Sequence, residues 1–450
     1  MTIDEVVREV ENNKIQQIQC LYVDNGGIVR GKVSSAKTLK QHMVGGIGLT
    51  PAMQAMNMMD ELNLDSGLGP VGEIRLIPDP ESFRVLPYLS RTASMMCDMV
   101  ALTGNPWTVC SRSFLRRQVD HAKTLGFRII AAYEDEFSLA HATPEGSYVP
   151  LDPTLCFSSS GMVAAHAVIA DIMDALESQG IDPEQYYPEL GHGQHELSVS
   201  PREVLQAADN QVRYRETVRA VAAQHGLKAS FAPKPWPDQA GNGAHIHFSV
   251  WDIDADRNVF WDPDDPYHLS MLGYQFAAGV LAHLPALVAL TCASVNSYRR
   301  LNPRSWSSAY TAFGPDNREA AVRIASVFWG NEARSINLEL KASDSSANPY
   351  LALGGLIAAG LDGVARQLPP VPPLLVDPAT LSDAEREKRH IARLPQSLGE
   401  ALDALEKDEV LKEALGPDLL TAYVSVKRSE IAHFRLHDAE YEFRQHFEKF

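Results

Sequence analysis

Cysteine is scarce in this chain. Its five cysteines (Cys20, Cys97, Cys110, Cys156, Cys292) are scattered over 450 residues without paired spacing. That excludes a disulfide framework, fits a reducing compartment and argues against a structural zinc site. Positive charge is also in short supply: 40 Lys and Arg against 57 Asp and Glu leave a net charge of −17. This balance argues against nucleic acid and anionic membranes as partners. No long apolar run is free of polar breaks. The most apolar stretch, Phe276 to Ala293, contains His283 and Pro285 and reads as a buried helix, not a membrane span. The N-terminus carries no signal-peptide pattern, so the expected location is cytoplasmic. There is no internal repeat.

What is present suggests two domains of unequal size, which this length can supply with sizeable cores. Residues 1–103 alternate strand-like runs (Ile15–Val23, Glu73–Ile77, Ser94–Met99) with short turns, compatible with a small β-grasp-like domain. Gly104-Asn105-Pro106 is a plausible joint, and a helical period begins at Arg112 and runs to Leu125. Residues 104–450 mix helices with antiparallel strands, an α+β catalytic domain. Pro369 to Pro373 reads as a proline-rich surface loop, and the C-terminal stretch as helical, with Leu398, Ala401, Leu402 and Leu405 on one face.

The chemistry is concentrated in fragments. Asn242 to Ser249 reads Asn-Gly-Ala-His-Ile-His-Phe-Ser. Glu134 and Glu136 sit in Tyr-Glu-Asp-Glu-Phe, Glu189 and Glu196 bracket Glu-Leu-Gly-His-Gly-Gln-His-Glu, and Glu339 sits in Asn-Leu-Glu-Leu-Lys. Taken singly these are weak, because Glu-x-Glu is usually a solvated face and Gly-rich turns are mostly just turns. Strand alternation strengthens them. It puts Glu134 and Glu136 on one face, His245, His247 and Ser249 on one face, and Asn337, Glu339 and Lys341 on one face. Buried carboxylates repel one another and lose solvation, and bound cations remove that problem. Oxygen ligands with an imidazole suit Mg²⁺ or Mn²⁺. Arg300, Arg318 and Arg323 follow, so the set looks like a site for divalent cations and polyphosphate.

The order of these fragments resembles that of the glutamine synthetase family, type I-like, over nearly the whole chain. The resemblance is carried by Tyr-Val-Asp-Asn-Gly-Gly-Ile-Val-Arg-Gly-Lys (Tyr22 to Lys32), the Glu-x-Glu strand, the Glu189 to Glu196 loop and Phe-Ala-Pro-Lys-Pro (Phe231 to Pro235). The histidine motif, Asn-Ser-Tyr-Arg-Arg-Leu from Asn296, Asp-Asn-Arg-Glu-Ala-Ala-Val-Arg from Asp316, and Glu-x-Lys with Asn-Pro-Tyr-Leu (Asn348 to Leu351) complete it. It implies an α+β fold: a small N-terminal β-grasp domain and a large catalytic domain with a curved antiparallel sheet and surrounding helices. It implies ATP and two or three Mg²⁺ or Mn²⁺ ions per site. Glu136, Glu189 and Glu196 match the ligands of the metal beside the amino acid; Glu134, His245 and Glu339 match those of the metal at the nucleotide phosphates. His247 and Ser249 match residues near the nucleotide, Gly241 and Arg300 residues that hold glutamate, and Arg318 and Arg323 those that neutralise the transferred phosphoryl group. The implied reaction is attack of the glutamate γ-carboxylate on ATP, then displacement of phosphate by a nitrogen nucleophile. The implied assembly is a homo-dodecamer of two stacked hexamers, with sites built between neighbours.

The departures bear on the nucleophile. Where ammonia-using members carry an acidic flap residue, six positions after Arg300, this chain has Trp306. Where they carry an Asp-Gly-Ser-Ser turn, it has Leu49 to Met56 without one. Ala240 stands where asparagine is usual, and Lys341 replaces an arginine that touches substrate or phosphate. Ammonium gains most from carboxylates, whereas an alkyl or aryl group gains from burial and an indole can hold a protonated amine. Met53, Met56, Met58 and Met59 would make a deformable apolar wall if their segment reached the site, with Asp60, Glu61 and Asp65 beyond to hold a second ammonium. The sequence thus reads as a glutamate–amine ligase of the γ-glutamylamide or γ-glutamylpolyamine branch, with an alkylamine, ethanolamine-like amine, polyamine or aromatic amine as nucleophile and Glu189 as base. The alternatives are a glutamine synthetase using ammonia and a non-catalytic structural relative. The intact carboxylate set speaks against the latter, because a drifted scaffold has no reason to keep self-repelling acids.

Overall fold

A computed structural model describes residues 1–450. The chain opens on helix Ile3–Asn12, started by a capping box in which Thr2 and Glu5 satisfy each other's backbone N–H groups. A six-stranded sheet follows, in the order Val29–Ser35, Gln17–Val23, Thr92–Ala101, Ile74–Pro78, Ile47–Leu49, with Arg84–Val85 paired to Thr92–Ala101. Gln17–Val23 runs parallel to Thr92–Ala101 and antiparallel to Val29–Ser35. Alternate residues Ile18, Cys20 and Tyr22 are buried with Val6, Val10, Leu39 and Met95 in a core of their own. The period-2 pattern read in the sequence is what puts them there.

The second sheet has eleven strands, with a main path Phe313–Pro315, Val322–Ala325, Asn337–Leu340, Ala244–Asp252, Phe127–Ala142, Gln194–Val199, Pro183–Pro188. All neighbours on that path are antiparallel except the parallel pair Phe313–Pro315 and Val322–Ala325. The molecule is thus α+β, with antiparallel strands at its centre and helices packed on one sheet face.

That face belongs to the largest core. Ile246, Phe248 and Val250 project onto helices Met271–Thr291 and Pro349–Ala365, where Phe248 lies 5.5 Å from Phe276, ring to ring. Helix Pro349–Ala365 starts where the sequence dictates: the Asn348 side chain accepts the N–H groups of Tyr350 and Leu351, and Pro349 fills the first turn. Helix Met271–Thr291 is long and apolar enough to cross a membrane, but it is packed in this core despite Pro285. Asp135 is the exception on the apolar face. It is fully buried between Gln211 Nε2 (2.7 Å) and Ser345 Oγ (2.8 Å), and burial pushes its carboxyl up to about 6.

Candidate functional site

Strand register assembles the site. On the polar face of Phe127–Ala142, Glu134 stands opposite His245 on one neighbour and Ser198 on the other, while Glu136 stands opposite Glu196. One strand further, Glu339 stands opposite His247, and beyond it Arg323 stands opposite Glu339. Residues over two hundred positions apart therefore meet in one row. His245 Nδ1 lies 3.5 Å from Glu134 Oε2 and 3.3 Å from Glu339 Oε1; His247 Nε2 lies 3.4 Å and 3.9 Å from the same two atoms. Glu134, His247 and Glu339 form the group of potential ligand atoms that all lie within 4.8 Å of one another. The family resemblance assigns His245 to the metal and His247 to the nucleotide; geometrically both imidazoles reach the same pair of carboxylates. The His247 ring is turned by Asn337 Oδ1, 2.9 Å from its Nδ1.

The electrostatics show a site strained by its own charge. Burial raises the Glu134 carboxyl, but hydrogen bonds from His245 and His247 outweigh this and hold it well below the usual range. Glu339 is fully buried, and Lys341, His247, His245 and Arg323 together overcome that burial to keep it depressed. Glu196 goes the other way, pushed well up by burial and by Glu134 and Glu136. Glu189 is also raised, chiefly by burial and partly by Glu134, against the Leu190 N–H. Burial lowers His247, but the Glu134 carboxylate reverses the effect and lifts it to about 9; burial and Lys341 lower His245. One buried carboxylate oxygen, Glu339 Oε1, accepts no hydrogen bond. A set of hard oxygen donors with imidazole nitrogens beside them, one buried oxygen unpaired, fits divalent cations of the Mg²⁺ or Mn²⁺ type.

The glycine turn fixes the substrate end. A side chain on Gly241 would lie 2.4 Å from the Pro233 carbonyl and 2.9 Å from Arg300 Cγ; one on Gly243 would lie 2.7 Å from His245 Nε2 and 2.8 Å from Arg300 Nη2. Only glycine lets Arg300 lie along this turn. Arg300 is buried, donates to the carbonyls of Asn242, Lys341 and Ser343, and keeps Nη1 without a partner. Such an unpaired guanidinium nitrogen suits a substrate carboxylate. Gln194 ties the two halves together, donating from Nε2 to Glu136 Oε2 and to the Gly241 carbonyl, both at 2.9 Å.

These groups line a cavity of about 450 Å³ that contains Glu134, Glu136, Glu189, Glu196, His245, Gly241, Arg300, Trp306, Arg318 and Lys341. Arg323 lies behind it, paired with Glu339. Ser249 is buried on its strand, and its hydroxyl accepts the Trp251 indole N–H. Trp306 stands at the rim in a left-handed backbone conformation (φ 56°), its N–H donated to Glu319 Oε1 at 2.8 Å. The methionine segment does not line this cavity. Met58 packs on Phe434 and Phe450, Met53 packs on the N-terminal core, Asp60 pairs with Arg30, and Glu61 pairs with His433. A chain's own residues 49–65 thus leave its own amine end untouched.

Gln194, Tyr187, Cys156, Phe157 and Leu190 also line the cavity, and Glu319 reaches it through Trp306, although none is marked as a site residue by the sequence motifs. Gln194 was visible inside the Glu189 to Glu196 motif. Tyr187, whose hydroxyl donates to Glu196, stands directly opposite Glu196 on the neighbouring strand. Phe157 and Cys156 had no sequence signal, because only the packing of a loop against Pro188 brings them in.

A family model described as the glutamine synthetase catalytic domain matches residues 108–446, and one described as the glutamine synthetase N-terminal domain matches residues 1–107. The chain is 37% identical to the γ-glutamylpolyamine synthetase GlnA3 of Streptomyces coelicolor, over 94% of this chain and 91% of that protein. It is 36% identical to a glutamine synthetase of Halobacterium salinarum over 84% of each, and 32% identical to the glutamate–methylamine ligase of Methyloversatilis universalis over the full length of both. A crystal structure described as a novel glutamine synthase homolog superposes with a TM-score of 0.86 at 36% identity, covering 97% of this chain and 99% of that one.

Proposed function

The chain belongs to the glutamine synthetase family and is a ligase joining glutamate to an amine with ATP as co-substrate; on that basis we propose that its preferred nucleophile is an organic primary amine. The observation that carries this reading is the mouth of the cavity. Beside Glu189 it presents Phe157, Leu190 and Trp306, all more than half exposed. Large apolar groups left open at the edge of a polar cavity favour a carbon substituent over a hydrated ammonium ion.

In this reading Glu136, Glu189 and Glu196 hold one divalent cation, and Glu134, Glu339 and His245 a second, with His247 in reach. Once bound, Mg²⁺ or Mn²⁺ neutralises the carboxylates and the phosphate oxygens. Arg300 Nη1 and the Gly241 backbone hold glutamate, while His247 and Ser249 lie towards the nucleotide. Arg318 and Arg323 offset charge on the phosphoryl group as the γ-carboxylate oxygen bonds to phosphorus and ADP leaves. Lys341, 3.6 Å from Glu339, adds positive charge at the same place. An alkylamine (pKa about 10.4) arrives protonated. Glu189 accepts its proton; the nitrogen then bonds to the γ-carbon, the carbon–oxygen bond to phosphate breaks, and phosphate departs with the second N–H proton.

Residues 104–450 would carry this chemistry, with residues 1–103 as the smaller N-terminal domain. In a dodecamer of two stacked hexamers, a neighbour's 49–65 segment could close the mouth that the chain's own segment leaves open. A second reading, ammonia as nucleophile, draws support from Glu319, a carboxylate one hydrogen bond from Trp306. The test is phosphate release with glutamate and ATP across ammonium, alkyl-, hydroxyalkyl-, poly- and arylamines at equal free-base concentration. The proposal predicts an organic amine as the best substrate. Ammonium outperforming all of them establishes the second reading instead.

A further inference from the structure

The geometry points to Phe157 as the residue that selects the amine's carbon substituent, on a fixed wall completed by Leu190, so that the site takes primary amines carrying alkyl or aralkyl groups of several carbons. This rests on the amine-ligase reading and deepens it. The nitrogen must react beside Glu189, and Glu189 is bracketed in space by the two wall residues. The Leu190 N–H donates to Glu189 Oε2 at 2.9 Å, and the thiol of Cys156, next to Phe157, lies 3.9 Å from the same oxygen. A substituent cannot turn inward, because the inner walls are Glu136, Glu196, Arg300 and Lys341, and an alkyl group there would strip their solvation without replacing it. It must lie outward, over Phe157 and Leu190.

Phe157 is held in that position at a conformational cost. Its φ is 57°, in the left-handed region that bulky residues avoid, and the residue is 60% exposed, so packing in the free chain does little to offset the strain. Its N–H is tied to the Pro188 carbonyl at 2.9 Å, and helix Ser159–Glu177, capped by Ser158, follows at once. The ring meets Tyr187 edge-on, with centroids 4.7 Å apart, and the Tyr187 hydroxyl donates to Glu196. A strained, exposed aromatic anchored to a metal-site tyrosine is placed for a ligand, and its open face also suits a cation lying on a ring.

The experiment uses the full-length enzyme with glutamate, ATP and Mg²⁺, and measures kcat and KM for ammonium, methylamine, propylamine, butylamine and benzylamine in the wild type, Phe157→Gly and Phe157→Leu. Each methylene laid on the wall should raise wild-type kcat/KM about fourfold until the wall is covered. Phe157→Gly should flatten this series and lower the butylamine-to-ammonium ratio of kcat/KM at least about tenfold, mainly through KM for butylamine. Phe157→Leu should keep most of the ratio. Because glycine accepts a left-handed backbone, Phe157→Gly should have a Tm no lower than wild type. A chain-length series unchanged in Phe157→Gly overturns the inference. So does a parallel loss for ammonium and butylamine, with or without a fall in Tm, since that marks a structural role. A wild type that prefers ammonium throughout overturns the amine-ligase reading itself, whereas a wild type that prefers an amine without depending on Phe157 overturns only this inference.

Discussion

Trimming Trp306 to alanine should separate apolar contact from every other contribution to amine use. Both residues would sit at the same left-handed backbone position, so conformational strain is nearly the same in wild type and variant. Trp306 is 56% exposed in the free chain. Of an indole side chain of roughly 200 Å², about 110 Å² is therefore open, and a small amine covering about half of that removes about 55 Å² from water. At about 25 cal/mol per Å² this is about 1.4 kcal/mol, or about tenfold in kcat/KM for the preferred amine. Trp306→Glu should lose this and more, because the new carboxylate sits beside Glu319, and it should shift preference towards ammonium. Full ammonia chemistry need not return, since residues 49–56 supply no acid. The assay is steady-state phosphate release with the amine varied at saturating glutamate and ATP. Amine kinetics unchanged within about twofold in both variants would mean that the indole does not contact substrate, and would leave amine selection to Phe157 and Leu190.

Excess EDTA should abolish ATP turnover, and Glu136→Ala should cut activity on the order of a hundredfold or more while preserving the fold by circular dichroism; turnover persisting without divalent cations refutes the metal assignment. Mg²⁺ should raise the Tm of the wild type and much less that of Glu136→Ala, as ligand linkage requires. Gly243→Ala forces a methyl group into the space of His245 Nε2 and Arg300 Nη2, so glutamate use should fall by about tenfold or more with a modest change in Tm; normal kinetics would show that Arg300 is not positioned by this turn. His446 is fully buried, its Nδ1 hydrogen-bonded to the Glu442 carbonyl, and burial lowers it to about 4. The unfolded chain binds this proton below about pH 6.5 and the folded chain only near 4, so stability should fall as pH drops through that window, by up to about 3 kcal/mol. His446→Leu should flatten that part of the pH profile in denaturant titrations, and an identical acid limb in the variant contradicts the assignment.

The sequence by itself determined the face of each strand. Alternation placed Glu134 with Glu136 and His245 with His247, and these face rules are local, needing only the pleat. The caps at Thr2 and Asn348, and the burial of Leu398, Ala401, Leu402 and Leu405, are equally local. The order of motifs identified the family, and with it the reaction class. Which strand lies beside which is not local. That Arg323 stands opposite Glu339, and Glu196 opposite Glu136, follows from long-range register, which no single segment encodes. The same holds for the imidazoles, which sequence divided between metal and nucleotide and which the sheet presents to one pair of carboxylates. Tertiary structure alone moved the methionine segment away from the chain's own cavity, where Met58 finds better burial against Phe434 and Phe450. It also brought Phe157 in: a residue in an unremarkable run of serines becomes part of the site because one backbone hydrogen bond to Pro188 lays its loop across the mouth.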